Sequence, residues 1–180
     1  MEPKIKRLER ILVKKGAILD IYTDKMQLPN GTVELWDYVE HRMGAAAVVP
    51  VVEEGKVLMI HQYRPALERM TLEIPAGARD HATEDTKICA ARELEEETGY
   101  RAKTLSKLLS LKTTVAFCNE SVDIYLAKGL TKTKQNLDAA EEIETEIFAI
   151  EELIERIYAG EIQDGKTVAA LLAYQNLRGR

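Results

Sequence analysis

Cysteines, aromatic residues and long apolar runs are scarce in this 180-residue sequence, and each scarcity closes off a class of protein. The two cysteines, Cys89 and Cys118, show no paired metal-type spacing. A disulfide framework or a zinc cluster is thereby excluded, and reduced thiols in a cytoplasmic setting are expected. No apolar run approaches the roughly 20 residues of a bilayer-spanning helix, so no membrane partner is expected. The start, Met1-Glu2-Pro3-Lys4, lacks the apolar centre of a secretory signal. Basic residues are outnumbered, 25 against 30 acidic ones, for a net charge of −5, which argues against a nucleic-acid surface. A small anionic ligand stays open, because divalent cations can bridge it to carboxylates.

What is present reads as an ordinary globular chain, 46% apolar and 31% charged. The length suits a single core over residues 1–180, and no linker divides it. The first forty residues read as strands. Within them, Leu28-Pro29-Asn30-Gly31 is a hairpin signal between strands over 17–27 and 32–41. The run 45–52, AAAVVPVV, predicts a strand buried on both faces, and 56–63 its partner. Thr71 to Ile74 predicts a short strand that Pro75-Ala76-Gly77 breaks. A helix is expected over about 84–98, and strands over 105–113, 121–127 and 144–150. The polar stretch 131–144 reads as a loop, and 151–158 and 166–177 as helices. This order predicts an α+β fold: a mixed sheet sandwiched between helices, preceded by an antiparallel strand region over 1–43, with 44–180 as the main core.

The acidic helix is the most informative segment. At about 100° per residue, Glu93, Glu96 and Glu97 share one face, being spaced i, i+3 and i+4. Glu95 points away, and Ala90, Ala91 and Leu94 are read as the far side that packs on the sheet. Like charges on one face repel, the C-terminal end of the helix dipole adds to the cost, and Arg92 is the one nearby cation. A bound divalent cation would relieve this. The candidate ligands are oxygens, which selects Mg²⁺ or Mn²⁺ over zinc; a plain solvated acidic face is the alternative.

The stretch from Gly77 through Glu84 to Arg92-Glu93-Leu94-Glu95-Glu96-Glu97-Thr98-Gly99-Tyr100 resembles the signature of the Nudix hydrolases. One departure is an extra residue, six instead of five, between Gly77 and Glu84. The resemblance implies that Glu93, Glu96, Glu97 and the backbone carbonyl of Ala76 bind Mg²⁺, that Glu84 pairs with Arg92, and that Gly77 shapes the loop. It implies hydrolysis of a pyrophosphate bond by in-line attack of hydroxide, with the cations screening the phosphate charge. A general base is expected from the loop 136–144, either Glu141 or Glu142, with Glu97 as the further catalytic carboxylate.

Over nearly the whole chain the sequence is similar to the ADP-ribose pyrophosphatase branch of that family. The shared landmarks are Leu28-Pro29-Asn30-Gly31, Val39-Glu40-His41, Ala47 to Pro50, Gln62-Tyr63-Arg64-Pro65, Leu72 to Gly77 and Gly160 to Thr167. This branch implies ADP-ribose or a related nucleoside diphosphate sugar as substrate, and a homodimer that exchanges its N-terminal strands. Arg64 is expected on the substrate phosphates or sugar, an arginine fork suiting phosphate. Glu73 would touch substrate or shape the site, whereas His61 is read as packing. Trp36 is read as a base-stacking residue, a core residue or a dimer contact. Val115 and Ala116 stand where the branch usually has proline and glycine, so another diphosphate, such as a dinucleoside polyphosphate or a nucleoside triphosphate, stays in play. A nucleotide-sensing module that binds without hydrolysis is a third reading.

Overall fold

A computed structural model describes residues 4–138 and 141–179 of the chain. Ala139 and Ala140 of the acidic loop, like Met1 to Pro3, lie outside the described residues. Strands β1 (Lys6–Lys15), β2 (Leu19–Gln27) and β3 (Val33–His41) form an antiparallel sheet of their own. The β2–β3 turn closes through Leu28 N–H to Thr32 O at 2.8 Å, with Gly31 at φ 87°, where a side chain would be strained. The Arg10 guanidinium grips Asp24 through two hydrogen bonds of 2.7 and 2.6 Å and lies 3.4 Å from the centre of the Tyr38 ring. That contact ties all three strands together.

The second sheet is mixed. It contains β4 (Ala45–Glu53), β5 (Lys56–Arg64), β6 (Arg69–Glu73), β7 (Ala76–Ala78), β8 (Tyr100–Lys112), β9 (Ser121–Lys132) and β10 (Ile143–Ala149). The main path runs β10-β5-β4-β9-β8, with β6 added on β5 and β7 on β4. Only the β4–β9 pair is parallel among these ladders. Three helices cover the sheet: α1 (Thr86–Thr98), α2 (Ile150–Tyr158) and α3 (Gly165–Arg178). Strand β4 is buried on both faces because its side chains alternate between two cores. Ala46 and Val48 pack with Cys89, Ala90 and Leu94 of α1, while Ala47, Val49 and Val51 pack with Leu153 of α2 and Leu171 and Tyr174 of α3. The architecture is the expected α+β sandwich. Among the described residues no helix is long and apolar enough to cross a membrane.

Several boundaries differ from the sequence reading, for identifiable reasons. Pro75 does not end pairing: its carbonyl accepts the Val48 N–H at 2.9 Å, and Ala76 to Ala78 then pair with β4 as a short strand. Strand β8 starts at Tyr100, before the expected residue 105, and β9 runs on to Lys132. A bulge between Lys107 and Leu109 breaks the alternation that would have marked this long ladder. Helix α1 starts at Thr86, because Asp85 takes the N-cap position and accepts Lys87 N–H.

The largest correction concerns the faces of α1. Ala91 is exposed, and the buried stripe is Ala90, Glu93, Leu94 and Glu97. These are spaced i, i+3, i+4 and i+7, so Glu93 and Glu97 belong to the packed side of the helix and do not oppose it. The stripe divides the helix cleanly for a stability test. Leu94→Ala should cost roughly 2–5 kcal/mol in chemical denaturation, as for a fully buried leucine. Ile88→Ala, at a position 63% exposed, should stay within about 0.5 kcal/mol.

Candidate active site

Two carboxylates are driven into the interior by the stripe just described. Glu97 is 1% exposed, and its Oε2 accepts the Ala76 N–H at 2.9 Å. Glu93 lies flat on the backbone of Gly77, where a Cβ would stand 2.1 Å from its carboxyl carbon. A side chain at this position would have to push the Glu93 carboxylate off the loop, so it is glycine that lets Glu93 rest there. Arg92 binds Glu93 Oε1 at 2.7 Å, Glu96 Oε2 at 3.0 Å and the Ala78 carbonyl at 3.0 Å. It also lies 3.5 Å from Glu84 and 3.4 Å from Asp80. The Arg92 Nε is buried without a partner among the described residues.

The loop lengthened by one residue is orderly. Glu84 Oε2 accepts the Asp80 N–H at 2.8 Å, and Arg79 donates to the carbonyls of Met43 and Ala82. The additional residue is absorbed in a closed turn that leaves Glu84 beside Arg92.

The charge on this wall is poorly compensated. Burial, and then the charges of Glu96 and Glu141, push the Glu93 carboxyl up to about 7 against the pull of Arg92. Burial and the charge of Glu93 push Glu97 up to about 8 against the Ala76 hydrogen bond. Among the described residues, no three acidic, histidine or cysteine side chains converge closely enough to hold an ion as they stand. Arg92 occupies Glu93 and Glu96. The donor set nevertheless fits a hard divalent cation: oxygens only, two of them on buried carboxylates short of positive charge, beside a cradle that a Cβ would fill.

A second segment is tied to the end of α1. Thr133 N–H donates to Gly99 O at 2.7 Å, Asn136 N–H to Glu96 O at 2.9 Å, and the Gln135 side chain to Glu97 O at 2.7 Å. These bonds satisfy the carbonyls that a helix C-terminus leaves free. Gly99, at φ 69°, permits the approach, since a Cβ would stand 2.8 Å from Gln135 N. Beyond this segment Glu141, held through its Oε2 by the Asp138 N–H, borders a cleft of about 250 Å³ with Glu93 and Glu96. Glu142 is exposed and does not line that cleft.

A larger cleft of about 530 Å³ shares Gly77 and Ala78 with the first, and Arg64, Asp164 and Lys166 line it. Those three side chains also border a third cleft of about 380 Å³. Arg64 binds Glu73 at 2.8 and 2.7 Å, and Lys166 binds the same carboxylate. Glu73 is 2% exposed. Burial would raise its pKa, but the cations Arg64 and Lys166 win and hold it at about 2. Glu73 thus fixes the Arg64 guanidinium where the two larger clefts adjoin. Trp36 sits on the N-terminal sheet, 40% exposed, with its indole N–H on Glu34, and lines none of these clefts. Lys166 and Asp164, which the sequence does not single out, line these clefts from within the landmark Gly160 to Thr167. Val115 is 81% exposed at the turn before β9.

Comparison with known proteins identifies the family. The family model described as NUDIX domain matches residues 41–171, and the chain belongs to the Nudix family as a pyrophosphatase-type hydrolase. It is 37% identical over 168 residues to the ADP-ribose pyrophosphatase of Bacillus subtilis (strain 168), covering 92% of this chain and 90% of the relative. It is 38% identical over 173 residues to the methanol dehydrogenase activator of Bacillus methanolicus, covering 94% and 91%. A crystal structure titled as an ADP compounds hydrolase superposes with a TM-score of 0.88 at 21% identity, over 98% of this chain and 96% of that one, which shows the fold.

The raised carboxyls give a pH test. Folded Glu93 and Glu97 hold protons that the unfolded chain, with an ordinary value of 4.5, has lost. Their contribution to stability is full below pH 4.5 and is lost as pH rises through about 7 and 8. Without divalent ions the Tm should therefore fall across that window, and Glu97→Gln should flatten the fall. A wild-type Tm that rises over the same window contradicts the electrostatics.

Proposed function

We propose that this protein hydrolyses the pyrophosphate bond of ADP-ribose or a related nucleoside diphosphate sugar in a Mg²⁺-dependent reaction, releasing a nucleoside monophosphate and a sugar phosphate. The observation that carries this reading is the pair of buried, under-compensated carboxylates packed against the Ala76-Gly77 loop, of which Glu93 borders a cleft that shares Gly77 and Ala78 with the one that carries Arg64. The name and the coverage of the Bacillus subtilis relative support the substrate class.

Glu93, Glu96, Glu97 and the Ala76 carbonyl would hold Mg²⁺, with Mn²⁺ as a substitute. Bound there, the metal supplies charge screening for the diphosphate and activation of water. Arg92 has to release Glu93 and Glu96 for this, and Glu84 and Asp80 stand ready to take its charge. Gly77 keeps Glu93 against the loop. Glu141 takes the proton of the attacking water, being the loop carboxylate that borders the acidic cleft; Glu142 is the second choice. Arg64, held flat by Glu73, meets the phosphates or the adjoining sugar.

The single domain is read as a 1–43 strand region that mediates a homodimer with exchanged strands and a 44–180 catalytic core. Trp36 would reach a base only across such a dimer. Turnover of the wild-type protein with ADP-ribose, other nucleotide sugars, dinucleoside polyphosphates and triphosphates tests the reading. AMP should form from ADP-ribose only when Mg²⁺ is present. Glu97→Gln should lower kcat by at least about 10²-fold, and Glu141→Gln by a similar factor, with folding retained. Metal-independent turnover, or full activity of Glu97→Gln, would sink it.

A further inference from the structure

The cleft of about 380 Å³ has no role in the reading above, although Arg64 borders both it and the larger one. We propose that this cleft receives the sugar arm of the substrate, and that Gln163, held by Arg69, reads the sugar's hydroxyls and so sets which sugar is accepted. The inference rests on the nucleoside diphosphate sugar reading and deepens it.

Such a substrate has two arms joined at a diphosphate. With the diphosphate between the Ala76-Gly77 loop and Arg64, one arm has the rest of the larger cleft, out to His41 and Glu120. The other needs room beyond Arg64, and the second cleft is that room. Its volume falls within the range of small-molecule sites. No aromatic side chain borders it to stack a base. Ala66, Leu67 and Leu72 give it an apolar side, and Gln163, Glu161 and Asp164 a polar one, which matches the mixed surface of a sugar.

The hydrogen bonds of the polar side are arranged for hydroxyls. Arg69 Nη2 donates to Gln163 Oε1 at 2.6 Å. A guanidinium only donates, so this bond fixes which way the amide faces and leaves the Gln163 NH₂ as the donor end. Acceptors stand beside it. Asp164 takes all its hydrogen bonds on Oδ2, and Glu161 takes Arg156 on Oε2 at 3.1 Å, so Asp164 Oδ1 and Glu161 Oε1 are uncommitted among the described residues. A hydroxyl both donates and accepts, and neighbouring hydroxyls need this mixture.

The walls are set before binding. Ile162, 2% exposed, and Asp164, the cap of α3, anchor Gln163 on both sides. Across the cleft, the turn 65–68 is closed by Leu67 N–H to Arg64 O at 2.9 Å and Glu68 N–H to Pro65 O at 3.3 Å. Glu68, at φ 53°, is the one non-glycine residue at positive φ among the described residues. Such strain persists where the surrounding structure holds it, as it does at ligand clamps. Arg64 and Arg69 stand directly opposite each other on β5 and β6, a placement that repels. Glu73 neutralises Arg64, whereas Arg69 receives a neutral amide, which it holds in place.

Gln163→Glu separates reading from scaffolding, because glutamate keeps an acceptor for Arg69 and loses the NH₂ donor. With Mg²⁺, Gln163→Glu and Gln163→Met should each raise KM for ADP-ribose roughly 5-fold or more with kcat changed much less, and shift the preference between ADP-ribose and ADP-glucose. The inhibition constant of ADP, which has the diphosphate and no sugar arm, should stay within about 2-fold of wild type. Gln163→Glu should also keep the wild-type Tm. An unchanged KM in both folded variants overturns the proposal while ADP-ribose hydrolysis stands, and so does an ADP inhibition constant that rises as much as KM. A wild-type protein that binds ADP-ribose without cleaving it, with that affinity weakened in Gln163→Glu and ADP binding unchanged, sinks the hydrolysis reading and upholds the subsite.

Discussion

Two glutamates buried against a glycine loop, with too little positive charge around them, form the constraint on which the rest of this structure depends. A carboxylate taken out of water without full pairing costs several kcal/mol unless it protonates or gains a cation. Glu93 and Glu97 lie on the packed stripe of α1 with Ala90 and Leu94, so helix packing itself forces them inward. The fold does not relieve them with lysines. It gives them Arg92, and shares Arg92 among Glu93, Glu96, Glu84 and Asp80.

Much of the surrounding structure serves to hold that stripe in place. At its N-terminal end α1 is fixed by the Asp85 cap and by the Thr86 hydroxyl, which meets Asp123 and the Tyr125 hydroxyl at 2.8 Å each. At its C-terminal end, residues 133–136 occupy the free carbonyls and bring Glu141 round to the same cleft. The N-terminal sheet is linked to the rim of the larger cleft through Val39 N–H to Phe117 O at 2.8 Å and His41 N–H to the Asn119 side chain at 2.7 Å. Helix α3 contributes Lys166 from the opposite side of the sheet to α1. The acidic residues of α1 and Lys166 of α3 thus come from opposite layers of the sandwich, with Arg64 supplied by β5 of the sheet, and the clefts they line share Gly77 and Ala78 of β7.

The readable part of this architecture was the part with short-range periodicity. The run 45–52 announced a strand buried on both sides, and the acidic spacing announced a shared carboxylate face. Two things were not legible. The orientation of α1 was misread because its buried stripe mixes alanine and leucine with two glutamates, so polarity pointed the wrong way at Ala91. Lys166 was not singled out because its partner Glu73 lies 93 residues earlier, and only the closing of β6 against the start of α3 brings the two together. The loop between Gly77 and Glu84 could not be judged from its length; its closure depends on Arg79 reaching the Met43 carbonyl across the sheet edge.

The central claim is that the buried glutamates are kept partly protonated by the fold and give up that proton to a divalent cation. Calorimetric titration of Mn²⁺ into the protein at pH 7, repeated in two buffers of different ionisation enthalpy, measures this directly. The account predicts release of roughly one to one and a half protons per bound ion, reduced to about half a proton, that of Glu93, when Glu97 is replaced by Gln. Binding with no proton release, or no binding at all, would contradict it.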